Sequence, residues 1–331
     1  MESRTRDEDH DGSARARGTE AHEAGTPGTR VPGTSGTRVP EADEARIREV
    51  LAARLPGHRA GTVTPLGEGE DNSAYEVGGE LVVRFAKEPD PVLRAALVER
   101  EARLLAVVAD VSPLPVPEPR FTDPERGCLA YPTLAGVPLL GLPGSRRAAY
   151  AGAVGTVLGG LLGALHAVPA ERVDGLVEED GTAPSEWLDE AAELYPALAG
   201  ELPAACHEAV RAFLGTPPPD GGHRPVLSHN DLGIEHVLVD PGTGAVTGVV
   251  DWSDAALVDP AYDFGLLYRD LGPDALEAAL SAYGPSGARL RERAVFYGSC
   301  RVFEDLAYGI ETGREVYVGK CLVATEWLFP G

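Results

Sequence analysis

Cysteine is scarce in this 331-residue chain. The four present (Cys128, Cys206, Cys300 and Cys321) share no C-x-x-C spacing. That excludes a disulfide framework and a cysteine-based zinc site, and it suits small buried thiols in a reducing compartment. Positive charge is scarce as well: 29 Lys and Arg stand against 52 Asp and Glu, a net of −23. Such a chain lacks the basic face that nucleic-acid binding requires. No uninterrupted apolar run reaches membrane-spanning length, and the first ten residues carry no apolar core of a secretory signal. No G-x-x-x-x-G-K-[ST] phosphate loop exists, because the segment 313–320 is out of register and runs into Cys321. His229 and His236, seven apart across a turn, match no zinc signature. The expectation is a soluble, cytoplasmic, monomeric protein with neither a nucleic-acid nor a membrane partner.

What is present falls into three stretches. Residues 1–40 are rich in Gly, Thr, Pro and charge, and Gly-Thr-Arg-Val-Pro occurs at 28–32 and again at 36–40. They are expected to be a disordered tail, since they offer almost nothing to bury. A first helix starts near Glu41, with Ile47, Val50, Leu51 and Leu55 at helical spacing. An antiparallel section follows. The strand 62–66 leads into a flexible turn over 67–72, and 73–77 and 80–86 form a hairpin across Gly78-Gly79. Asp90 and Pro91 read as the cap and first position of the next helix. The proline-rich stretch 111–119 cannot be helix, and it leads to two further strands, 120–122 and 128–133. Helices dominate from Ser145 on, with Val154, Leu158, Leu161, Leu162 and Leu165 as one apolar stripe that His166 closes. Three terminal helices are expected over 275–285, 288–310 and 317–328.

The most informative stretch is 227–252. A short polar loop holding Asp231 and His236 precedes an apolar strand at 237–239, and a second apolar run, 246–250, ends at Asp251. Pro241, Gly242 and Gly244 between the runs predict a hairpin. Three polar groups are thus presented along one braced edge. Phosphoryl transfer needs one carboxylate to orient an attacking hydroxyl and take its proton, and further ligands for magnesium. The order H-R-D-x-x-x-x-N followed by D-F-G is met here as His229-Asn230-Asp231, then His236, then Asp251-Trp252-Ser253.

On these residues the chain resembles the aminoglycoside phosphotransferase family, from about residue 43 to its C-terminus. The resemblance implies an α+β, bilobal protein-kinase-like fold, with a small antiparallel-sheet N-lobe (41–134) and a larger, mainly helical C-lobe (135–331). The 2''-type aminoglycoside phosphotransferases likewise place histidine where most members have asparagine. Imidazole is a poor magnesium ligand, so His236 holds one metal weakly or orients a metal-bound water. The implied roles are Asp231 as catalytic base, with His236 and Asp251 as ligands of Mg2+. Gly67, Gly69, Asn72, Ser73, Arg84, Glu101, Tyr131 and Thr133 are the implied nucleotide contacts. Lys87 competes with Arg84 for the phosphates, and Glu99 with Glu101 as its partner. Tyr131 and Thr133 fall in the hinge that offers backbone groups to the base of ATP or GTP. His229, Asp259 and Asp263 are read as braces, and Glu304, Asp305, Glu311 and Glu315 as residues on helices that line the acceptor cleft. The acidic balance is compatible with a cationic small-molecule acceptor such as an aminoglycoside. A macrolide, a sugar or a choline- or homoserine-like metabolite stays open on such a scaffold, as does a catalytically silent nucleotide-binding pseudokinase.

Overall fold

The computed structural model describes residues 39–58, 61–68, 71–220, 222–284 and 288–331. All but the end of the expected disordered tail therefore lies outside the described residues, as does Gly69. The helix α1 (Glu41–Arg54) buries Ile47, Val50 and Leu51. Next come β1 (Val63–Glu68), β2 (Asn72–Val77), β3 (Leu81–Ala86), α2 (Pro91–Val111), β4 (Phe121–Asp123) and β5 (Cys128–Pro132). The strands form one antiparallel sheet in the order β1-β2-β3-β5-β4. Strand alternation decides what each face carries. Val83 and Phe85 pack with α1, while Val82 packs with Val98, Leu105 and Val108 of α2. Arg84 therefore points to the α2 side. The β2–β3 hairpin turns at Gly78 and Gly79, whose φ of 65° and 73° is the left-handed pair such a tight turn needs.

One expectation needs correction in this region. Gly67 and Asn72 are strand residues, not turn residues: Gly67 pairs with Ala74, Glu68 with Ser73 and Asn72 with Ala86. The ladder reaches further because each added pair satisfies backbone groups that a loop would leave to water. Asp90 does cap α2, its carboxylate accepting from the amides of Val92 and Leu93 at 2.8 and 3.0 Å.

The remainder is mainly helical. It comprises β6 (Val137–Pro138), α3 (Gly144–His166), α4 (Pro184–Leu198), α5 (His207–Leu214), β7 (Val226–Ser228), β8 (Val237–Val239), β9 (Val246–Val249), β10 (Ala256–Val258), α6 (Tyr262–Tyr283), α7 (Ala288–Glu311) and α8 (Glu315–Leu328). Contrary to the expectation that no apolar run reaches membrane-spanning length, the helix α3 is long and apolar enough to cross a bilayer, but its stripe Val154, Leu158, Leu161, Leu162 and Leu165 lies in the core. It packs on α6 at very close range: a Cβ at Gly155 or Gly159 would collide with the backbone of Ala275 or Ala279. The first terminal helix begins at Tyr262, well before residue 275. The break at Gly272 (φ 79°) and Pro273, which reads as a helix start, falls inside it as a kink.

Candidate active site

Two small sheets hold two loops face to face. The strand β7 pairs with β10, and β8 pairs with β9 and β6, so 229–236 and 250–255 are each pinned at both ends. The loops are also stitched directly, because Val250 donates its amide to His236 O at 3.0 Å and His229 Nε2–H donates to Val250 O at 3.0 Å. Asp263 accepts from the amides of His229 and Asn230 at 2.9 and 3.3 Å, which is the bracing role expected of it. Asp259 braces a second seam through Arg293 (2.7 Å) and Tyr297 (3.1 Å). Asn230 and Asp251 sit at φ 65° and 64°, the only described non-glycine residues with positive φ. Asn and Asp tolerate that region best, and surrounding structure must over-determine it.

The expected side chains converge. His236 Nε2 lies 3.0 Å from Asp231 Oδ2, and its Nδ1 lies 3.9 Å from Asp251 Oδ2. Arg84 pairs with Glu101 at 2.6 Å, donates to Ser253 Oγ at 2.9 Å and approaches Asp251 to 3.9 Å. Ser253 Oγ donates in turn to Asp251 Oδ1 at 3.1 Å. Of the alternatives left open by the sequence, Arg84 is the cation brought to Asp251, and Glu101 is its acid. The β3 alternation and the helical register of α2 turn both side chains inward.

Charge distribution follows from burial. His236 is almost wholly buried, which alone would favour the neutral ring. The carboxylates of Asp231 and Asp251 reverse this and lift its pKa to about 10, so it carries a proton. Burial acts to raise the Asp231 carboxyl, but His236 outweighs it and holds the group below the usual carboxylate range. For Asp251 burial wins over Arg84 and His236, and its pKa is raised. Burial also pushes His229 down to about 4, leaving it neutral as a brace.

Asp251 Oδ2, His236 Nδ1 and Arg84 Nε are buried without a hydrogen-bond partner. Unpaired buried polar atoms are costly, and a site that keeps them is suited to an incoming ligand. Among the described residues no group of three His, Cys, Asp or Glu could hold a metal on its own. That suits magnesium, which takes one or two protein ligands and completes its shell with phosphate oxygens and water.

The other nucleotide contacts fare unevenly. Asn72 and Ser73 open β2 at the tip of the β1–β2 hairpin, with Gly67 opposite. Thr133 gives its amide to Glu80 O at 3.0 Å, so that amide is already spent within the sheet; its buried hydroxyl has no partner. Tyr131 meets the site through its phenol, which burial pushes up to about 12 and which hydrogen-bonds Arg84. The acceptor side also differs from expectation. Asp305 is 6% exposed and faces the interior, not a cleft. Glu304 pairs with Arg301, whose guanidinium stacks 5.0 Å above Trp187. Arg301 reaches the field of Asp231. Sequence reasoning missed Ser253 as a bridge, and missed Arg301 and Trp187 altogether; the one signal was Glu304, three residues beyond Arg301 on the same helix face.

The sequence model of the phosphotransferase enzyme family matches residues 62–294. Among curated relatives, the uncharacterized protein YcbJ of Bacillus subtilis (strain 168) is 39% identical over 102 residues, 30% of this chain and 33% of that protein. The aminoglycoside 3'-phosphotransferase of Streptomyces fradiae is 31% identical over 148 residues, 40% of this chain and 53% of that protein. The matched segment thus spans a third to about half of the length of these relatives. Among solved structures, the GDP and kanamycin complex of APH(2")-IIia aligns with TM-score 0.60 at 20% identity, covering 85% of this chain and 97% of that one. Macrolide 2'-phosphotransferase MphH of Brachybacterium faecium aligns with TM-score 0.55 at 28% identity, covering 85% and 97%.

Proposed function

Because the chain belongs to the phosphotransferase enzyme family, we propose that it transfers the terminal phosphoryl group of ATP or GTP to a hydroxyl of a small molecule. The observation that carries this reading is a continuous chain of polar contacts. It runs from Asp231 through His236 and Asp251 to Arg84 and Glu101, with links of 3.0, 3.9, 3.9 and 2.6 Å. Asp231 orients the acceptor hydroxyl and takes its proton as the oxygen bonds to phosphorus and the bond to the leaving nucleoside diphosphate breaks. Arg84, aimed by Glu101, holds the phosphates. Asp251 would hold magnesium, which would neutralise charge on the transferred group, and His236 would join as the weaker ligand only as the metal displaces its Nδ1 proton.

For the acceptor we favour an aminoglycoside-like antibiotic, on the relative from Streptomyces fradiae and the acidic balance of the chain. The 28% identity to a macrolide 2'-phosphotransferase favours a macrolide as second reading. The test incubates purified protein with magnesium, ATP or GTP, and a panel of aminoglycosides and macrolides, and follows the acceptor by mass spectrometry. Gain of one phosphoryl group on an aminoglycoside supports the first reading. Gain on macrolides alone selects the second. Nucleotide binding with no phosphorylated acceptor of any class sinks the enzymatic reading.

A further inference from the structure

Directly behind the site lies a second cluster of charge. The ammonium of Lys320, in α8, lies 3.3 Å from Glu235, 3.1 Å from Asp270 and 2.7 Å from Asp305. Arg269 completes the group, 2.8 Å from Asp270 and 3.0 Å from Asp305. All five residues are buried, Lys320 to 4% exposure. One ammonium therefore ties together α6, α7, α8 and the catalytic loop.

The loop end of this tie is specific. Glu235 immediately precedes His236, and the two side chains go opposite ways, one to Lys320 and the other to Asp231. The amide of Ile234 donates to Asp270 Oδ2 at 3.1 Å. At Gly233 a Cβ would stand 2.6 Å from the Glu235 carboxylate carbon, so the chain wraps tightly around that acid. Three consecutive residues, 233–235, are thereby set from the interior, and the direction of His236 follows from theirs. Lysine suits this position because its compact ammonium turns three donors towards three separate carboxylates, which the planar fork of arginine cannot do. It is one of two lysines in the whole chain. Stability alone does not call for such a group, because buried ion pairs are matched or exceeded by apolar packing of similar volume.

We propose that Lys320 is a positioning residue for the catalytic loop, fixing Glu235 and thereby the line from His236 to Asp231. This rests on the phosphotransfer reading above. Two cations face three acids here, so Lys320→Met alone widens the imbalance and lowers the unfolding temperature. The double variant Lys320→Met with Glu235→Gln removes one charge of each sign and recovers most of that loss, yet it still lacks the tie. In the double variant kcat stays down roughly tenfold or more, with the nucleotide KM within about twofold of the native value. Recovery of kcat together with stability overturns the proposal, and the double variant decides even if the single one fails to fold. A second readout needs no turnover. Amide hydrogen exchange of the segment 232–238 speeds up about tenfold in the double variant. It stays native-like in Leu158→Ala, a core truncation in α3 that lowers stability elsewhere. Equal exchange in the double variant and the native protein overturns the proposal. If the native protein phosphorylates no acceptor, the functional reading fails and the exchange measurement alone judges the tie.

Discussion

Two groups of buried charge meet at adjacent residues, Glu235 and His236, and are built on opposite principles. Around Lys320 every acid lies within 3.3 Å of a cation. Around Asp251 the contacts to Arg84 and His236 stretch to 3.9 Å, and Asp251 Oδ2 and His236 Nδ1 have no hydrogen-bond partner. The closed group spends its charges on one another at ion-pair distance, Asp305 Oδ2 included, although that atom makes no well-aligned hydrogen bond. The open group withholds bonding capacity, as a site must if phosphates and a cation are to complete it. Removing one charge should therefore damage folding in the first group and chemistry in the second.

The largest effect is expected from Asp270→Asn. It strips Arg269 and Lys320 of a shared acid and weakens the acceptor of the Ile234 amide. The loss is of charge-assisted hydrogen bonds, each worth about 1.5–3 kcal/mol, readable as a shift of the urea midpoint at unchanged slope. A midpoint within experimental error of native would erase the distinction between the two groups. Asp231→Asn is its counterpart. Turnover should fall about 100-fold or more, the scale of a lost general base. The midpoint should move much less than for Asp270→Asn, since the Asp231 side chain is 26% exposed. Activity near the native level in this variant would remove Asp231 from the mechanism.

Ligand linkage sharpens the same contrast. Magnesium with nucleotide at about 100 times Kd should add roughly 2.7 kcal/mol of stability, because the unpaired atoms of the open group gain partners. In Asp251→Asn the magnesium-dependent part should disappear, while nucleotide alone still registers through Arg84. A native-sized magnesium shift in Asp251→Asn would place the metal elsewhere.

The open group was far more legible in the sequence than the closed one. Asp231, His236 and Asp251 sit at fixed spacings around a hairpin whose turn residues announce it, and strand alternation was enough to turn Arg84 inward. The choice of Glu101 over Glu99 followed from the family pattern, and Glu101 lies 2.6 Å from Arg84. No such regularity marks the closed group. Its members lie on three helices and a loop, and a charged residue on a helix reads as solvated until the packing of that helix is known. The family resemblance puts Asp305 on a cleft-lining helix, and nothing in the spacing of Glu235 and Lys320 marks them as its partners. The strands β7 and β10 went unseen because three residues are too few to show a period. The kink at Gly272-Pro273 hid the first half of α6, because a proline at the start of a periodic run looks like a helix beginning.

A third kind of buried ionisable group gives the smallest expected effect. His166 is held by neutral partners only, with Nδ1 at 3.1 Å from Tyr283 OH and Nε2 at 3.1 Å from Ser228 Oγ. Burial depresses its pKa from the usual 6.5 to about 4, against a weak opposing pull from Asp259. The neutral ring is thus favoured in the fold, and its contribution is fully present above pH 6.5 and lost as pH falls towards 4. Between pH 6 and 5 the loss is about 1 kcal/mol, the cost of one pH unit for one group. His229, depressed to a similar value by burial, adds a like amount. His236 titrates near 10, and Asp270 is held below its ordinary range by Arg269 and Lys320 acting against burial; burial lifts Asp263 to about 7, so over this interval its proton uptake works against the two histidines. His166→Gln should accordingly cut the loss of stability over that unit by about 1 kcal/mol, as measured by urea denaturation at pH 6 and 5. An unchanged slope would mean that the mild-acid sensitivity of the fold comes from the charge groups after all.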